Sequence, residues 1–498
     1  MFKQLPIFII AAMSIWLTAC DDYDSFTTER SATLRFSVEK VEFDTLITTV
    51  PSSTKTLVIY NRGDKGVRIN EVRLAAGATS PFRVNIDGQD MSRTADRRVT
   101  DFEVRRRDSV IVRIEATLPD TDSDDPHLVT DDLVLTLESG VVQRVPISVV
   151  GRDAYFLQKR TLTGNHTFTA QRPYVVYDTL KVAKGATLTL QAGAQLLFHE
   201  GAGLYVQGTL KATGTLAQPV TLRGDRTDHM FDYLPYDRLP GRWEGVTIAP
   251  ESRNNSLEYI DLHGANFGIR CEANTASGRK MKLSNSRIHN INGDGLDATL
   301  CYIDAVNTEI SNTCGHCVNL HGGDVQFIHC TLAQFYYFDS DRGEAVNISC
   351  TKDDAFYELL RADFINCVIS GYGDDVVLVP ALDNTKSSGH DLHQTDDPQV
   401  NYLFYNCFMT TVIPEEEIYA PCFQHITLDP TDRPSESNEH NFRLTDTHNL
   451  LYDFTPTATS PIRGCADVEY AADYPTDRLG RSRTADNAPD AGCYEYVP

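Results

Sequence analysis

Residues 179–222 read TLKVAKGATLTLQAGAQLLFHEGAGLYVQGTLKATGTLAQPVTL. Short runs of alternating apolar and polar residues (179–183, 185–190, 193–198, 203–206, 208–210 and 219–222) succeed one another with little but Gly-bearing turns between them. Hairpins need longer strands than these, commonly about five or six residues each. The spacing suits a chain that coils and lays every strand parallel to one a full turn earlier. Solenoids of that kind repeat every ~20–45 residues.

Further along, an approximate repeat fits the same reading. The segments 283–286 (LSNS), 310–313 (ISNT), 327–330 (FIHC), 364–367 (FINC) and 404–407 (FYNC) share one order: an apolar or aromatic residue, a spacer, Asn or His, then a small residue or Cys. In a β-helix equivalent positions stack about 4.8 Å apart. Asn at a bend can then hydrogen-bond along the stack, as in side-chain ladders. A Cys beside it behaves as a small buried apolar residue. This accounts for the thiols: of 12 cysteines, every one except Cys20 falls after residue 270. Such clustering is unlike a disulfide framework spread through a small secreted fold.

Upstream, residues 33–152 alternate differently. Runs at 56–60, 66–74, 108–118, 132–138 and 141–150 are bounded by turn residues such as Asn61, Gly63, Asp87, Gly88, Ser139 and Gly140. Short alternating strands at regular spacing predict an antiparallel sandwich. No cluster of His, Asp, Ser or Cys stands out in it, so a spacer role is expected. At the start of the chain, Lys3 precedes an apolar stretch, 5–18, which ends in Leu17-Thr18-Ala19-Cys20. This is the three-part layout of a secretory signal, and it is short for a helical membrane span of about 20 residues. The formal charge of -24 argues against nucleic acid and other polyanions as partners, because the net field repels them.

These motifs carry resemblances. Leu17–Cys20 resembles the lipobox of bacterial lipoproteins, which implies that Cys20 is lipidated and begins the mature chain. The acidic patch Asp21, Asp22, Tyr23, Asp24 resembles the export signal of surface lipoproteins in some gut Gram-negative lineages; elsewhere an Asp behind the lipidated Cys is read as inner-membrane retention. The sandwich resembles immunoglobulin-like modules. Residues 155–409 resemble right-handed parallel β-helix repeat lipoproteins, on the Gly-Thr-Leu strand starts, on 241–246 (GRWEGV), on 264–269 (GANFGI) and on the Asn-Cys steps. Residues 477–481 and 489–495 resemble a C-terminal segment common behind bacterial surface β-helices, with Ala491-Gly492-Cys493 where Ile-Gly-Ala is usual. The expected organisation is therefore all-β: signal peptide 1–19, lipidated tether 20–32, immunoglobulin-like β-sandwich 33–152, right-handed parallel β-helix 153–413 and an irregular C-terminal cap 414–498 closing the far end of the coil. The expected location is the envelope of a Gram-negative bacterium, at the outer membrane and surface-exposed, held there by lipid.

Function is less marked, since this fold hosts lyases, hydrolases and plain binding surfaces. Cys314-Gly315-His316-Cys317 reads as two ladder thiols flanking a bend; a metal site at Cys314 and Cys317 is the competing reading, although no second Cys-x-x-Cys completes a zinc pattern. Asp294, Asp297, Asp374 and Asp375 are the catalytic candidates, set against ordinary turn chemistry. Aromatic insertions offer a glycan face: Tyr233, Tyr236 and Arg238 leading into Trp243, and Tyr336 with Tyr337. Solenoid insertions collect on one face, often the binding face, while Tyr packs loops equally well. A third insertion, 381–400, carries His390, Asp391, His393, Asp396 and Asp397. The expectation is a non-catalytic surface for a glycan or an envelope partner, without cofactor. A polysaccharide lyase or glycoside hydrolase is the alternative, to be favoured by carboxylates gathered on adjacent rungs.

Overall fold

A computed structural model describes residues 25–231, 233–274, 278–380, 401–429 and 441–498. Cys20, the acidic patch 21–24 and the insertion 381–400 lie outside the described residues. The chain forms two compact units, with the division after Asp153.

The first unit is a β-sandwich. One sheet has the order Arg35–Phe36, Lys55–Tyr60, Ser109–Ala116, Phe82–Ile86, Gln89–Asp90. The other runs Val41–Glu42, Val142–Arg152, His127–Leu137, Val67–Leu74, Arg98–Val104. Alternate residues point inward, as the period of two requires. Leu57, Ile59, Val112 and Ile114 of one sheet meet Ile69, Val72, Leu133 and Leu135 of the other in a single core. At the end of the unit, the buried Asp153 carboxylate accepts from Thr48 Oγ1 (2.8 Å), Ser123 N (2.9 Å), Thr121 Oγ1 (3.0 Å) and Thr121 N (3.1 Å). Burial alone would push this carboxyl up; the donors outweigh it and hold it below the ordinary 3.8. Its contribution is present above that value and drains away as the pH falls below it. Asp153→Ala should cost the sandwich about 2–3 kcal/mol at pH 7, since hydrogen bonds to a charged group are worth about 1.5–3 each. The gap from the parent should narrow between pH 4 and pH 2 in denaturant melts. A gap that stays constant down to pH 2 contradicts this account of Asp153.

The second unit is a parallel β-helix. Its strands form an 11-stranded and a 17-stranded sheet, parallel from rung to rung, which curl round one axis. Each rung presents three faces. The first holds strands such as Gly203–Val206, Val246–Ile248 and Ile269–Cys271; the second holds Asn255–Glu258, Met281–Ser284 and Tyr402–Tyr405; the third is the 11-stranded sheet, from Tyr155–Gln158 to Thr427–Leu428. In the middle of the coil Leu296–Val306 and Val318–Ile328 each run unbroken across the first two faces. The opening segment 161–174 is part of the coil itself: Thr161–Leu162 and Asn165–Phe168 pair with the next rung.

Inward columns build the core. On the third face Leu196, Leu222, Leu262, Ile288, Ile310, Leu332, Ile369 and Met409 stand in register. On the second face Phe327, Phe364, Phe404 and Phe423 stack at 5.0, 4.9 and 5.2 Å between ring centroids. Those distances match the ~4.8 Å separation of neighbouring strands.

The corner between the second and third faces explains the Asn-Cys repeat. Asn285, Asn307, His329, Asn366 and Asn406 follow register-matched residues and all take φ near +50°, which Asn tolerates better than most residues. The next residue, Ser286, Thr308, Cys330, Cys367 or Cys407, is buried and turns its hydroxyl or thiol back onto the carbonyl two positions earlier, at 2.7, 2.9, 3.5, 3.3 and 3.5 Å. The corner returns after 22 residues from Asn285 to Asn307 and after 37 from His329 to Asn366. One expected member differs: Asn312 sits at another corner above Asn290 (3.4 Å), and Asn307 holds the place in its rung. The sequence pattern is the same at both corners because both bends want the same φ.

The coil extends past residue 413, since Phe423–Gln424 and Thr427–Leu428 add a further rung. From Asn441 the chain runs back along the flank of the coil, where an end cap is expected from sequence. The outward third-face residues Ala333, Val368 and Phe408, with Phe335, are apolar and pack with Phe442, Phe454, Ile462, Cys493 and Tyr494. Cover for that strip, rather than for the strand edges, decides where this segment goes. The corner column is its rail: Gly492 N donates to Asn366 O (2.8 Å), Asp467 N to Asn366 Oδ1 (2.7 Å), and Arg483 to Asn307 Oδ1 (2.9 Å).

Candidate functional site

A groove of about 570 Å³ lies on the outer surface of the second face. That is within the range of small-molecule sites. Its floor comes from part of two outward columns that alternate with the core columns: Lys282, Asp304 and Gln326 of one, Tyr302 and Arg361 of the other. Ser256, Lys282, Asp304, Gln326 and Asp363 form one outward column; Tyr302, Asp324 and Arg361 form the next. One wall is the stretch 473–476, in which Tyr474 packs near Val306, Ile328 and Ile365. Arg279 lies over the Tyr302 ring (5.4 Å to the centroid) and pairs with Asp304 at 2.6 Å; Arg361 pairs with Asp324 at 2.7 Å. The groove thus offers two tyrosine rings, fixed charges of both signs, Lys282 and the Gln326 amide. Asp304 and Asp324 each face an arginine, so they serve as fixed acceptors rather than as a free acid–base pair.

The sequence candidates fall elsewhere on the coil. Trp243 is fully buried: it stacks on Phe198 at 4.2 Å and donates Nε1 to His263 O at 2.8 Å. It is therefore a core residue and not part of a binding face. The neighbouring Gly245 has φ +123°, and a Cβ there would meet Phe267 O at 2.0 Å, so the Trp-Glu-Gly step is a packing motif. Tyr236 lies under the Arg226 guanidinium, 3.5 Å from its centroid, and Tyr233 stacks on His448 at 4.4 Å. Arg238 donates to Asn449 O at 3.0 Å. Arg238, Tyr336 and Tyr337 do come together, with Leu450 and Tyr452, but around a space of only about 10 Å³. That is room for one water. Tyr336 is buried, whereas Tyr337 remains 62 % exposed. The loops chiefly pack on the C-terminal segment.

Asp297 is buried on the first face. Both its oxygens bind Lys352 Nζ (2.8 and 2.9 Å), with Arg270 at 3.5 Å and His321 at 3.8 Å. Asp294 accepts from His316 N and Asn319 Nδ2, both at 2.8 Å. The two stand three residues apart on one rung, and Asp294 reaches the next rung through Asn319, the register partner of Asp297. Asp375 accepts from Thr411 Oγ1 (2.7 Å) and Val377 N (3.2 Å), which is turn chemistry, and Asp374 is exposed beside it. Cys317 points into the core, where burial pushes its thiol up to about 12, and Cys314 lies beside the Tyr336 hydroxyl, so the pair does not converge on a metal.

Sequence reasoning also missed a polar ladder on the third face. Asp261, Arg287 and Glu309 stand in one outward column; His263 and His289 stand in the other. His263 Nδ1 is 2.8 Å and His289 Nε2 is 3.0 Å from the same oxygen, Asp261 Oδ1, and His263 Nε2 is 3.0 Å from Asp237 Oδ1. Arg223 pairs with Asp237. Burial pushes the His263 imidazole down, but Asp261 and Asp237 outweigh it and hold it up at about 9. Burial and the Arg287 guanidinium push His289 down. The ladder and the groove share one cause of concealment: their members are neighbours across rungs, tens of residues apart in the chain.

No helix among the described residues is long and apolar enough to cross a membrane. No protein-family profile matches the chain, and no curated protein matches it. Among solved structures it is similar to a protein of unknown function from Porphyromonas gingivalis W83, at 16 % identity and a TM-score of 0.18. That match covers 26 % of this chain and spans 60 % of the other.

Proposed function

We propose that this chain is a lipid-anchored cell-envelope protein whose β-helix presents a non-catalytic binding groove for a glycan or another envelope partner. The observation that carries this reading is the groove between the second face and residues 473–476. Tyr302 and Tyr474 supply ring faces for the apolar C–H surface of a sugar. Lys282, Asp304, Gln326 and Arg361 supply donors and acceptors for its hydroxyls. A glycan array probed with the soluble chain from Asp21 should give discrete hits. For any hit, Tyr302→Ala and Tyr474→Ala should each weaken binding about tenfold, which corresponds to the loss of about 1.4 kcal/mol of ring contact. Hits that survive both substitutions rule the groove out as the site.

The anchor rests on the lipobox-like ending at Cys20. Cys20→Ala should move the protein from the washed membrane fraction to the soluble one, because a lipid chain there is the proposed means of attachment. Retention of the variant in washed membranes speaks against lipid anchoring.

A polysaccharide-cleaving enzyme is the second reading, and one observation favours it: Asp297, Lys352 and Arg270 meet on one surface, with Asp294 three residues before Asp297. Against it, the Lys352 ammonium is engaged by both Asp297 oxygens, so each group is committed to its partner rather than to a substrate proton. Product release from an array hit, abolished by Asp297→Asn, selects the enzyme.

A further inference from the structure

We propose that Asp261, His263 and His289 form a binding site for one divalent transition-metal ion of the zinc class, with Asp237 as the positioning residue for His263. The three ligand atoms lie within 4.8 Å of one another. They come from adjacent strands of a sheet, so the fold and not a loop sets their spacing. Asp261 and His263 are two residues apart on one strand and therefore share its outer side. His289 is the register partner of His263, and the two rings stack at 4.9 Å.

The donor set is two imidazole nitrogens and one carboxylate oxygen, which suits Zn²⁺ and its neighbours. In a tetrahedral site with bonds of about 2.0–2.1 Å, ligand atoms sit about 3.3 Å apart. The present separations of 2.8 and 3.0 Å from Asp261 Oδ1 need to open by only a few tenths of an ångström. The surroundings match what metal-bound imidazoles need. His263 offers Nδ1 to the site while its Nε2 faces Asp237 Oδ1, and Arg223 fixes that carboxylate from behind. A carboxylate on the far nitrogen is the usual device for setting a ligand histidine's tautomer and direction. Access exists: the side chains of His263, His289 and Asp261 are 9, 15 and 23 % exposed. A coordination position is therefore left toward solvent, as in sites that are not purely structural.

The test uses the full soluble chain after chelator treatment. Titration with ZnCl₂ in a calorimeter should show one saturable site per chain. CoCl₂ at the same stoichiometry should give the visible ligand-field absorption of a four-coordinate N/O site, without the near-ultraviolet charge-transfer band of a thiolate. His263→Ala and His289→Ala should each abolish the one-to-one phase. Asp237→Asn should keep it but weaken the affinity about 10–100-fold. His289→Gln, which retains a donor toward Asp261, guards against loss by misfolding: it should melt like the parent and still fail to bind. The absence of a one-to-one phase in the parent, an unchanged phase in the histidine variants, or a thiolate-type cobalt spectrum each overturns the proposal.

Discussion

Above about pH 8, where Glu495 is ionised, Arg483→Ala should destabilise the β-helix unit by about 3–5 kcal/mol, the usual cost of removing one member of a buried ion pair. Arg483 is fully buried on the flank of the coil. It donates to Glu495 Oε1 (2.7 Å), Asn307 Oδ1 (2.9 Å), Gly492 O (3.0 Å) and Asp490 O (3.3 Å). One side chain thus ties the last residues of the chain to the corner column. Removing it takes a donor from four acceptors at once, of which Glu495 Oε1 keeps Asp490 N, and a buried acceptor without a donor is costly. The pH dependence follows from Glu495. Burial pushes its carboxyl up from 4.5, and the guanidinium opposes that; without Arg483 the carboxyl rises further. A raised carboxyl stabilises the fold below its unfolded value and loses that contribution as the pH climbs through the folded one. The deficit of the variant should therefore stay level from about pH 4 to about pH 7 and grow as the pH passes about 8, where the parent carboxyl ionises beside Arg483 and the variant's does not. Thermal melts across pH 4–9 measure it. Limited proteolysis should also cut within 457–498 in the variant before it cuts the coil. An unchanged melting temperature at pH 8 sinks this reading of Arg483.

Cys367→Asp should cost several kcal/mol and prevent folding of the last rungs, whereas Cys367→Ser should cost about 1 kcal/mol or less. The Cys367 thiol is fully buried between the rungs of Cys330 and Cys407, and it contacts the carbonyls of Ile365 (3.3 Å) and Phe327 (3.4 Å). A carboxylate there would be unpaired and would face carbonyl oxygens, which pairs desolvation with repulsion. A serine hydroxyl can make the bond that Ser286 and Thr308 already make at the same corner. Native alkylation of Cys330, Cys367 and Cys407 should be slow, because all three side chains are buried away from the reagent, and denaturation should expose them. Rapid native labelling, or an aspartate variant as stable as the parent, contradicts the corner assignment.

The two-part architecture was legible in the sequence because each part has its own period. Alternation in runs of five to eleven residues marks the sandwich; Gly-bearing turns between runs of three to six residues mark the coil. The corner was legible too, since φ near +50° and a small buried neighbour leave a local pattern at 327–330, 364–367 and 404–407. That same pattern misplaced 310–313, because two corners use identical chemistry. Trp243 was misread for a related reason. An aromatic at the foot of an insertion looks alike in sequence whether its ring turns outward or, as here, stacks on Phe198. The groove had no local signature at all. Lys282, Asp304 and Gln326 belong to three rungs, and Tyr474 arrives from the C-terminal segment. Their proximity is a property of register, which no single stretch of chain displays.

The returning C-terminal segment also bears on how such a chain is made and delivered. Tyr494 meets Glu309 across 185 residues, and Asn449 meets Arg238 across 211. A coil can wind progressively as its chain emerges N-terminus first, each new rung templated by the last. The outward strip of Ala333, Phe335, Val368 and Phe408 stays bare through that whole process, until residues 442–494 arrive to cover it. Exposed apolar surface on an unfinished solenoid invites association with other unfinished copies. The chain therefore passes through an interval in which it is wound but still adhesive, and only its final residues end it. Premature stop codons near the C-terminus should accordingly be far more damaging than the small number of lost residues suggests.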